Sequence, residues 1–228
     1  MSEQVVLITG AKGGLGRSVT TAFLSSGAFV AGSSRSIAQT DFPHPDFLAV
    51  PADLLDPAEA AHLAETVLSR YGRIDALVHL AGGFTGGALH ETTDAVWDEM
   101  MNANLRAAFH TFRAVIPAMR KANRGRIVAI SSRLAAETAA GVAAYAASKA
   151  ALVSLVRSAA LENRDAGITA NAILPGTIDT PANRAWGSPE ERAKWVSPDS
   201  IAKLAVFLVS DAAAEITGAA IPIYGGGA

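Results

Sequence analysis

The stretch that decides the fold of this chain is Val5-Val-Leu-Ile-Thr-Gly-Ala-Lys-Gly-Gly-Leu-Gly16. Its first five residues form a short apolar run rich in β-branched side chains, which is typical of a strand buried on both faces of a sheet. A glycine-rich segment follows, and the sequence is then compatible with a helix as far as Ser26. The order strand, glycine turn, helix is the context that a dinucleotide-binding fingerprint requires.

Three glycines in this turn suit a backbone that binds phosphate. Gly10 allows a tight turn directly after the strand. Gly14 and Gly16 let the backbone and the helix N-terminus approach a pyrophosphate, whose charge the free N–H groups and the helix dipole stabilise. Lys12 adds positive charge within the same loop. The alternative is a glycine-rich connection that binds nothing. A P-loop of the NTPase type is excluded because no Gly-Lys-Ser/Thr follows.

The end of the second predicted strand, 28–33, indicates which dinucleotide is favoured. An acidic residue at this place holds the ribose 2′-hydroxyl of NAD. This chain has Ser33-Ser34-Arg35-Ser36 instead. A guanidinium can form paired hydrogen bonds with a 2′-phosphate and stack on adenine, so Arg35 favours NADP over NAD. The alternative is an arginine that is merely solvated at the surface.

Strand-like runs alternate with helical segments along the whole chain. The predicted strands are 5–9, 28–33, 47–50, 76–80, 126–130, 168–174 and 220–224, and the main helices after the first are 57–71, 93–123, the segment from Tyr145 to Asn163, and 199–210. The segment 37–45, with two prolines, leaves no room for a full helix between strands two and three, and Pro117 predicts a kink or break in the helical region 93–123. The alternation predicts an α/β fold of Rossmann type. We expect a doubly wound parallel sheet of about seven strands, with helices on both faces, in one domain over 1–228.

Composition argues against several classes of protein. Half of the residues are apolar and 18% are charged, which supports a large core and argues against disorder. The net charge of −2, without a basic run, argues against a nucleic-acid surface. The absence of cysteine excludes disulfides and thiolate catalysis, and the five histidines lack ligand spacing, so no metal site is expected. The first predicted strand starts at residue 5, so a signal peptide is not expected. No apolar stretch approaches the roughly 20 residues of a membrane span. We therefore expect a soluble, cytoplasmic protein without membrane partners.

A second stretch, Ile130 to Lys149, holds residues suited to proton transfer. Tyr145 and Lys149 are four residues apart and share one face of a helix. Because a nearby ammonium favours the phenolate, we expect Lys149 to lower the pKa of Tyr145 from its usual value of about 10. Ser132 follows the strand 126–130, so its hydroxyl is expected at the carboxyl end of the sheet, where open α/β sheets bind ligands. The alternative is a helix that merely contains a tyrosine and a lysine.

Three further parts of the sequence are candidates for the cofactor or substrate site. The glycine-rich run 81–87 is either loose backbone that lies against a cofactor ring or substrate, or a loop without a ligand. Asp53 either accepts a hydrogen bond from an adenine amino group or caps the next helix, for which Asp56 ahead of Pro57 is the better candidate. The polar segment 181–198 is typical of a mobile flap over a site.

These motifs together resemble those of the short-chain dehydrogenase/reductase family over essentially the whole chain. Thr9-Gly10-x-x-x-Gly14-x-Gly16 is similar to the family's cofactor loop. The family's catalytic tetrad is matched by Asn104, Ser132, Tyr145 and Lys149, and its nicotinamide-binding segment by Pro175, Gly176 and Thr180. Without the resemblance, a mid-helix asparagine such as Asn104 is better explained as the partner of a local polar group. Several motifs in the right order are far more specific than any one of them.

The resemblance implies hydride transfer between the nicotinamide of NADP(H) and a small carbonyl or alcohol, with NAD as the less favoured cofactor. It implies that Tyr145 exchanges the proton with the substrate oxygen and that Lys149 lowers the tyrosine pKa and binds the nicotinamide ribose. It assigns Ser132 to holding the substrate oxygen, and Asn104 to holding a water that relays protons. The expected cofactor-binding residues are Gly10, Lys12, Gly14, Leu15, Gly16, Ser34, Arg35, Asp53, Leu54, Ala81, Gly82, Gly83, Tyr145, Lys149, Pro175, Gly176, Ile178 and Thr180.

The chain also departs from the family pattern. His79-Leu80 stands where the family usually has Asn-Asn, which leaves open how strand four is braced, and Tyr224 stands where an aspartate is common. The run 81–87, the short connection between strands two and three and the segment 179–184 resemble dihydropteridine reductase. That subgroup lacks the catalytic serine and prefers NADH, whereas Ser132 and Arg35 are present here.

Two alternative functions therefore accompany the leading one. The first is a quinonoid dihydropteridine reductase, and the second is an NADP-binding regulatory protein without turnover, since a fold alone does not establish function. The resemblance also implies a homo-oligomer, a tetramer or dimer, that pairs the helices of Asn104 and Tyr145.

Overall fold

Seven parallel strands form one sheet in the order β3-β2-β1-β4-β5-β6-β7 in the computed structural model, which describes residues 4–226. The strands are β1 (Val5–Thr9), β2 (Phe29–Ser33), β3 (Phe47–Ala49), β4 (Ala76–His79), β5 (Gly125–Ile130), β6 (Ile168–Pro175) and β7 (Ala220–Ile223). All pair in parallel, and each begins and ends within one residue of the predicted bounds. The predicted doubly wound sheet is confirmed.

The apolar strand residues alternate between two buried layers. In β1, Val5 and Leu7 belong to the core layer on one face, and Val6 and Ile8 to the layer on the other. Side chains of successive strand residues point to opposite faces, so a strand buried on both faces must be apolar at every position. This requirement explains the uninterrupted apolar run with which the chain begins.

The helices cover both faces of the sheet. They are α1 (Gly14–Ser25), α2 (Pro57–Tyr71), α3 (Asp94–Met101), α4 (Ala107–Lys121), α5 (Ala143–Glu162), α6 (Pro181–Arg184), α7 (Pro189–Arg192) and α8 (Pro198–Val209). Residues of α2, α4 and α5 line one core layer, and residues of α1 and α8 line the other. Within 4–226, no helix has the length and apolar character needed to cross a membrane.

Local contacts explain the start of α2 and the short connection between β2 and β3. The Asp56 carboxylate accepts a hydrogen bond from the Ala58 N–H at 2.7 Å, so Asp56 is the cap that was expected ahead of Pro57. Between β2 and β3 the chain forms only a short 3₁₀ turn, Gln39–Asp41, which confirms that this crossover lacks a full helix. The Gln39 side chain donates to the Phe47 carbonyl and accepts from the Ala49 N–H, and so pairs with the edge strand β3.

The helical region 93–123 is interrupted at a different place from the one predicted. Pro117 lies inside α4, which continues to Lys121. Pro117 is on the exposed side of α4, where solvent can satisfy the carbonyl that its missing N–H leaves free. The irregular turn is a π-helical segment, Asn102–Arg106, between α3 and α4. Such single π turns carry an extra residue, and here it allows Asn104 to face the interior.

A buried imidazole braces the edge of the sheet where β1 and β4 end. His79 is fully buried, and its Nδ1 lies 3.0 Å from the Thr9 hydroxyl oxygen. The same oxygen accepts hydrogen bonds from the N–H groups of Leu80 and Ala81. The His79 ring also meets the Phe112 ring edge to face. Strand four is therefore held to strand one by a histidine in place of the usual amide side chain.

Burial of His79 makes the fold sensitive to acid. Burial, together with the charge of Lys149, lowers the pKa of His79 from 6.5 to about 3. The folded state keeps this imidazole neutral, while the unfolded state binds a proton below pH 6.5. Since the unfolded state then carries more protons, stability falls as the pH falls from about 6.5 toward 3.

We predict that this single group contributes up to about 1.4 kcal/mol per pH unit to the loss of unfolding free energy in that range. Urea unfolding at a series of pH values, for the wild type and His79→Asn, measures the contribution. The difference in unfolding free energy between the two proteins is expected to shrink steadily as the pH decreases. A difference that stays constant with pH contradicts this account of His79.

Candidate active site

One face of α5 presents Tyr145 and Lys149 at the carboxyl end of the sheet. The lysine side chain is 6% exposed, and its Nζ donates a hydrogen bond to the Ile130 carbonyl at 2.9 Å. That carbonyl belongs to the last residue of β5. The Lys149 Nζ lies 5.9 Å from the centre of the Tyr145 ring. The two groups whose spacing predicted a shared helix face are therefore neighbours beside the sheet edge.

Burial governs the protonation of both groups. It lowers the pKa of Lys149 from 10.5 to about 8, because a buried ammonium loses its hydration. It raises the pKa of Tyr145, and a hydrogen bond with Ser132 acts in the opposite direction. The net direction is therefore opposite to the one expected, and the lowering effect of the Lys149 charge itself stays a prediction. The sequence shows the spacing of the two groups and not the depth at which they are buried.

Ser132 lies where the sequence predicted, directly beyond the end of β5. Its hydroxyl lies close enough to Tyr145 to lower the pKa of the phenol, and it accepts a hydrogen bond from the Leu134 N–H at 3.2 Å. The neighbouring Ser131 hydroxyl donates to the Lys149 carbonyl at 2.9 Å. Ser131 thus attaches the end of β5 to α5, and Ser132 lies beside Tyr145.

Asn104 links the glycine-rich run 81–87 to α5. Its Oδ1 accepts from the Gly83 N–H at 3.0 Å and its Nδ2 donates to the Gly83 carbonyl at 3.1 Å. The Nδ2 also donates to the Ser148 hydroxyl at 3.0 Å, which in turn donates to the Tyr145 carbonyl at 2.7 Å. The buried amide is thus a partner of local polar groups, as its mid-helix position suggested, and it also belongs to the same cluster as Tyr145.

The glycine loop has the close approaches that its glycines were expected to allow. Gly10 has a φ of +68°, and a Cβ there would lie 2.9 Å from the Ala81 nitrogen. A Cβ on Gly16 would lie 2.1 Å from the Gly10 carbonyl oxygen. Helix α1 begins at Gly14, and no side chain caps it. The N–H groups of its first turn therefore face outward beside exposed glycines, which fits a pyrophosphate.

Polar groups at the end of β2 fit the ribose end of a dinucleotide. The Ser34 hydroxyl is buried and has no hydrogen-bond partner among residues 4–226. Arg35 is exposed, and the described part of the chain gives it no salt bridge. Lys12 is different, since its Nζ contacts the Asp41 carboxylate at 3.0 Å and the Ser36 carbonyl at 2.9 Å. The residues present therefore fit the adenosine end of a phosphorylated dinucleotide.

Asp53 and Leu54 both make backbone hydrogen bonds within the protein. The Asp53 Oδ1 accepts from the Leu55 N–H at 3.0 Å, and the Leu54 carbonyl accepts from the His110 ring at 2.9 Å. These bonds hold the turn beyond β3 in shape. A contact of Asp53 with an adenine amino group stays a prediction.

The opposite wall comes from the segment beyond β6. Pro175 ends that strand, and the Gly176 N–H donates to the Ile223 carbonyl at 3.0 Å. Ile178 forms a bridge with Val196. Thr180 caps α6, and its Cβ lies 3.0 Å from the position of a Cβ on Gly14, so this segment touches the glycine loop.

The predicted flap, 181–198, is anchored at both ends. The Asp179 N–H donates to the Val196 carbonyl at 2.9 Å, and the Val196 N–H donates to the Thr177 carbonyl at 2.8 Å. Between these bonds the segment holds α6, α7 and a pair of tryptophan rings, Trp186 and Trp195, whose centres are 5.2 Å apart. The flap therefore contains two short helices, and backbone hydrogen bonds join its two ends. Its mobility stays a prediction.

Phe84 is a site residue that sequence reasoning did not single out. Its side chain is 62% exposed, and its ring lies 4.9 Å from the Tyr145 ring at 74°. The loop around it is tied to the start of α5 by a bridge between Gly87 and Val142. The only signal in the sequence was one aromatic residue within a run of glycines. Phe84 gives the cleft an apolar wall next to the tyrosine hydroxyl.

The arrangement suits proton exchange at an oxygen atom held between Tyr145 and Ser132. Tyr145 can donate a proton, Ser132 can donate or accept a hydrogen bond, and the buried cation of Lys149 lies beside them. Residues 4–226 contain no cluster of three or more His, Cys, Asp or Glu side chains that could hold a metal ion.

Comparison with known proteins places the chain among dehydrogenases and reductases. Residues 4–191 match the family described as short chain dehydrogenase. The 3-oxoacyl-[acyl-carrier-protein] reductase FabG of Escherichia coli (strain K12) is 33% identical, with 98% of this chain and 96% of that protein covered. The 2,3-dihydro-2,3-dihydroxybenzoate dehydrogenase of the same organism is also 33% identical, over 99% and 97%.

A solved structure shares the same fold over its whole length. It is the 3-ketoacyl-(acyl-carrier-protein) reductase from Brucella melitensis complexed with NADH, which superposes with a TM-score of 0.92 at 28% identity. The match covers 99% of this chain and 98% of that one.

The packing around Gly82 gives a paired test of the site's geometry. A Cβ on Gly82 would lie 2.6 Å from the Asn104 Oδ1 and 3.1 Å from the Lys149 Nζ, both buried groups. A Cβ on Gly83 would meet nothing closer than 3.7 Å. We predict that Gly82→Ala lowers the free energy of unfolding by about 1–3 kcal/mol through overpacking, and that Gly83→Ala lowers it by less than about 1 kcal/mol.

Urea unfolding of the two variants beside the wild type measures both values. Equal losses for Gly82→Ala and Gly83→Ala are the outcome that contradicts this packing of Asn104 and Lys149 around Gly82.

Proposed function

The chain belongs to the short-chain dehydrogenase family, and from that premise we propose that it is an NADP(H)-dependent oxidoreductase that interconverts a small carbonyl compound and its alcohol. The observation that carries the proposal is the placement of Tyr145 beside Ser132, which lowers its pKa, and beside the buried ammonium of Lys149. We propose Asn104 as the fourth member of the catalytic tetrad, with Ser132, Tyr145 and Lys149. We also propose that the whole chain forms one domain.

The glycine loop, the free N–H groups of α1 and the unpartnered Ser34 hydroxyl support a bound dinucleotide. When bound, a nicotinamide cofactor supplies the hydride that is exchanged with the carbonyl carbon of the substrate. The protein's contribution is to bind and orient the reactants and to provide the proton. On this proposal, the segment from Pro175 to Thr180 and the run 81–83 hold the nicotinamide end.

Each polar group of the cleft has a separate role in the reduction direction. Tyr145 donates its hydroxyl proton to the substrate oxygen as negative charge develops there. Ser132 donates a hydrogen bond to the same oxygen and holds it in line. The Lys149 ammonium stabilises the phenolate that remains. Its lowered pKa, about 8, leaves it charged at neutral pH and able to return a proton to Tyr145.

Arg35 supports NADP over NAD as the preferred cofactor. It follows Ser34 at the ribose end and lacks a salt bridge within residues 4–226, so its guanidinium is available to a 2′-phosphate. An acidic residue that would favour NAD is absent from the end of β2.

The exposed Phe84 ring supports a neutral substrate with an apolar part next to its carbonyl. The names of the relatives, a 3-oxoacyl reductase and a cyclic diol dehydrogenase, also describe chemistry at a carbonyl or hydroxyl group. We further propose a homo-oligomer. Its support is a groove where α3, the π-helical segment and α4 meet, lined by Met101, Leu105, Arg106, Phe109 and His110, which a second copy could cover.

Replacement of the proton donor tests the proposed function most simply. We predict that Tyr145→Phe lowers kcat by about 10²- to 10⁴-fold, because the proton-transfer step is lost, while the Kd for NADPH changes by less than about threefold. Turnover is followed by NADPH absorbance over a panel of ketones, quinones and pterins, and binding by calorimetry.

Tyr71→Phe is the matched control, since Tyr71 lies on α2 and packs against Phe29. It is expected to retain wild-type turnover. A Tyr145→Phe protein with full activity rules out the proposed mechanism. Tight NADPH binding by the wild-type protein without oxidation of NADPH across the panel supports the non-catalytic alternative instead.

A further inference from the structure

Two of the three cations near the proposed 2′-phosphate position share one counterion. The Lys12 Nζ lies 3.0 Å from one carboxylate oxygen of Asp41, and the Arg17 guanidinium lies 3.2 Å from the other. Asp41 comes from the 3₁₀ turn between β2 and β3, and Lys12 and Arg17 come from the glycine loop and α1. The turn that replaces a crossover helix therefore places an acid beside the cofactor loop.

Asp41 is held firmly in this position. Its side chain is 12% exposed, and its Oδ2 accepts a hydrogen bond from the Ala38 N–H at 2.9 Å, which closes the 3₁₀ turn. Hydrogen bonds from Ala38 and Lys12 lower the pKa of Asp41, so its carboxylate is ionised at neutral pH. A fixed negative charge thus faces the same loop that is expected to receive a phosphorylated ribose.

The pairing leaves Lys12 with little capacity for another anion. Two of the three ammonium protons are directed at Asp41 and at the Ser36 carbonyl. Arg35 is the cation at this edge that has no salt bridge in the described part of the chain. Attraction to a phosphate depends on the summed local charge. Asp41 lowers the net positive charge around the loop by one elementary charge and so weakens that attraction.

We propose that Asp41 is a specificity-determining residue that limits the preference for cofactors with a 2′-phosphate by neutralising Lys12 and Arg17. The inference rests on the proposed function, because it assumes that the ribose of a dinucleotide lies at this edge. On this proposal Arg35 binds the 2′-phosphate, and Asp41 limits the gain in affinity that the phosphate provides. The affinity for NAD(H) then remains close enough to that for NADP(H) to be measured beside it.

The substitution Asp41→Asn tests the proposal by binding alone. Asparagine keeps an oxygen acceptor for the Ala38 N–H and removes the charge. NADP⁺ and 2′-AMP are expected to bind about three- to fivefold more tightly to the variant, which is the range of a partly exposed ion pair. NAD⁺ and 5′-AMP, which lack the 2′-phosphate, are expected to change by less than about twofold. Calorimetry at low salt measures all four ligands, and the gain is expected to shrink as salt is added.

Three further variants test whether the effect comes from the charge of Asp41 on its two cations. Asp98→Asn removes the same charge from an exposed position on α3 and is expected to leave the four affinities unchanged. Asp41→Ser removes the charge with a different capping side chain, and it is expected to repeat the gain if Asp41→Asn folds poorly. In a Lys12→Met background the gain from Asp41→Asn is expected to fall, because one of the neutralised cations is absent.

Unchanged or weaker NADP⁺ binding by folded Asp41→Asn and Asp41→Ser overturns the inference and makes Asp41 a positioning residue for Lys12. A wild-type protein that binds neither NADP⁺ nor NAD⁺ overturns the proposed function itself. The two failures are therefore distinguishable by the wild-type titration.

Discussion

The structure depends on one buried cation, the ammonium of Lys149, and on the carbonyl of Ile130 that accepts its hydrogen bond at 2.9 Å. Taking an ammonium out of water is costly unless polar groups replace its hydration, so its surroundings are tightly constrained. The end of β5 supplies the carbonyl, and Ser131 fixes the backbone of Lys149 through a second hydrogen bond. Gly82 lies so close that no side chain fits between Asn104 and the ammonium. The sheet edge, the glycine-rich run and α5 must therefore adopt one mutual arrangement, and that arrangement brings Tyr145 and Ser132 together.

Electrostatic requirements differ at the two ends of the proposed cofactor site. Around Lys149 the charge is buried, burial lowers the pKa of the amine, and the Ile130 carbonyl rather than an acid accepts its hydrogen bond. At the ribose edge the cations are exposed, and Asp41 pairs with two of them. A buried charge without a counterion keeps its influence on nearby groups, whereas exposed ion pairs are screened and adjust affinity by small factors. The first arrangement suits chemistry, and the second suits discrimination between similar ligands.

Sequence patterns predicted the sheet well because its central strands are buried on both faces, which favours a continuous apolar run such as Val5–Thr9. They predicted the positions of Ser132, Tyr145 and Lys149 because those depend on local geometry at the end of a strand and along one helix. They did not predict contacts between distant segments. The pairing of Thr9 with His79, of Phe84 with Tyr145 and of Asp41 with Lys12 depends on the fold as a whole. The expected kink or break at Pro117 is not a break, since α4 continues through it, and the irregular turn lies at Asn102–Arg106, where Asn104 is buried. The net direction of the Tyr145 pKa was wrong because burial, which a spacing does not reveal, raises it and exceeds the lowering effect of Ser132.

The most direct test of this account is the pKa of Lys149 itself. The chain has five lysines, Lys12, Lys121, Lys149, Lys194 and Lys203, of which Lys149 is buried. In protein isotope-labelled at the lysine Cε atoms, an NMR pH titration resolves each amine, and Lys149→Arg assigns the buried one by its disappearance. The account predicts that this lysine titrates at about 8. A Lys149 that titrates with the exposed lysines, near its ordinary value of about 10.4, contradicts the buried cation on which the site is built.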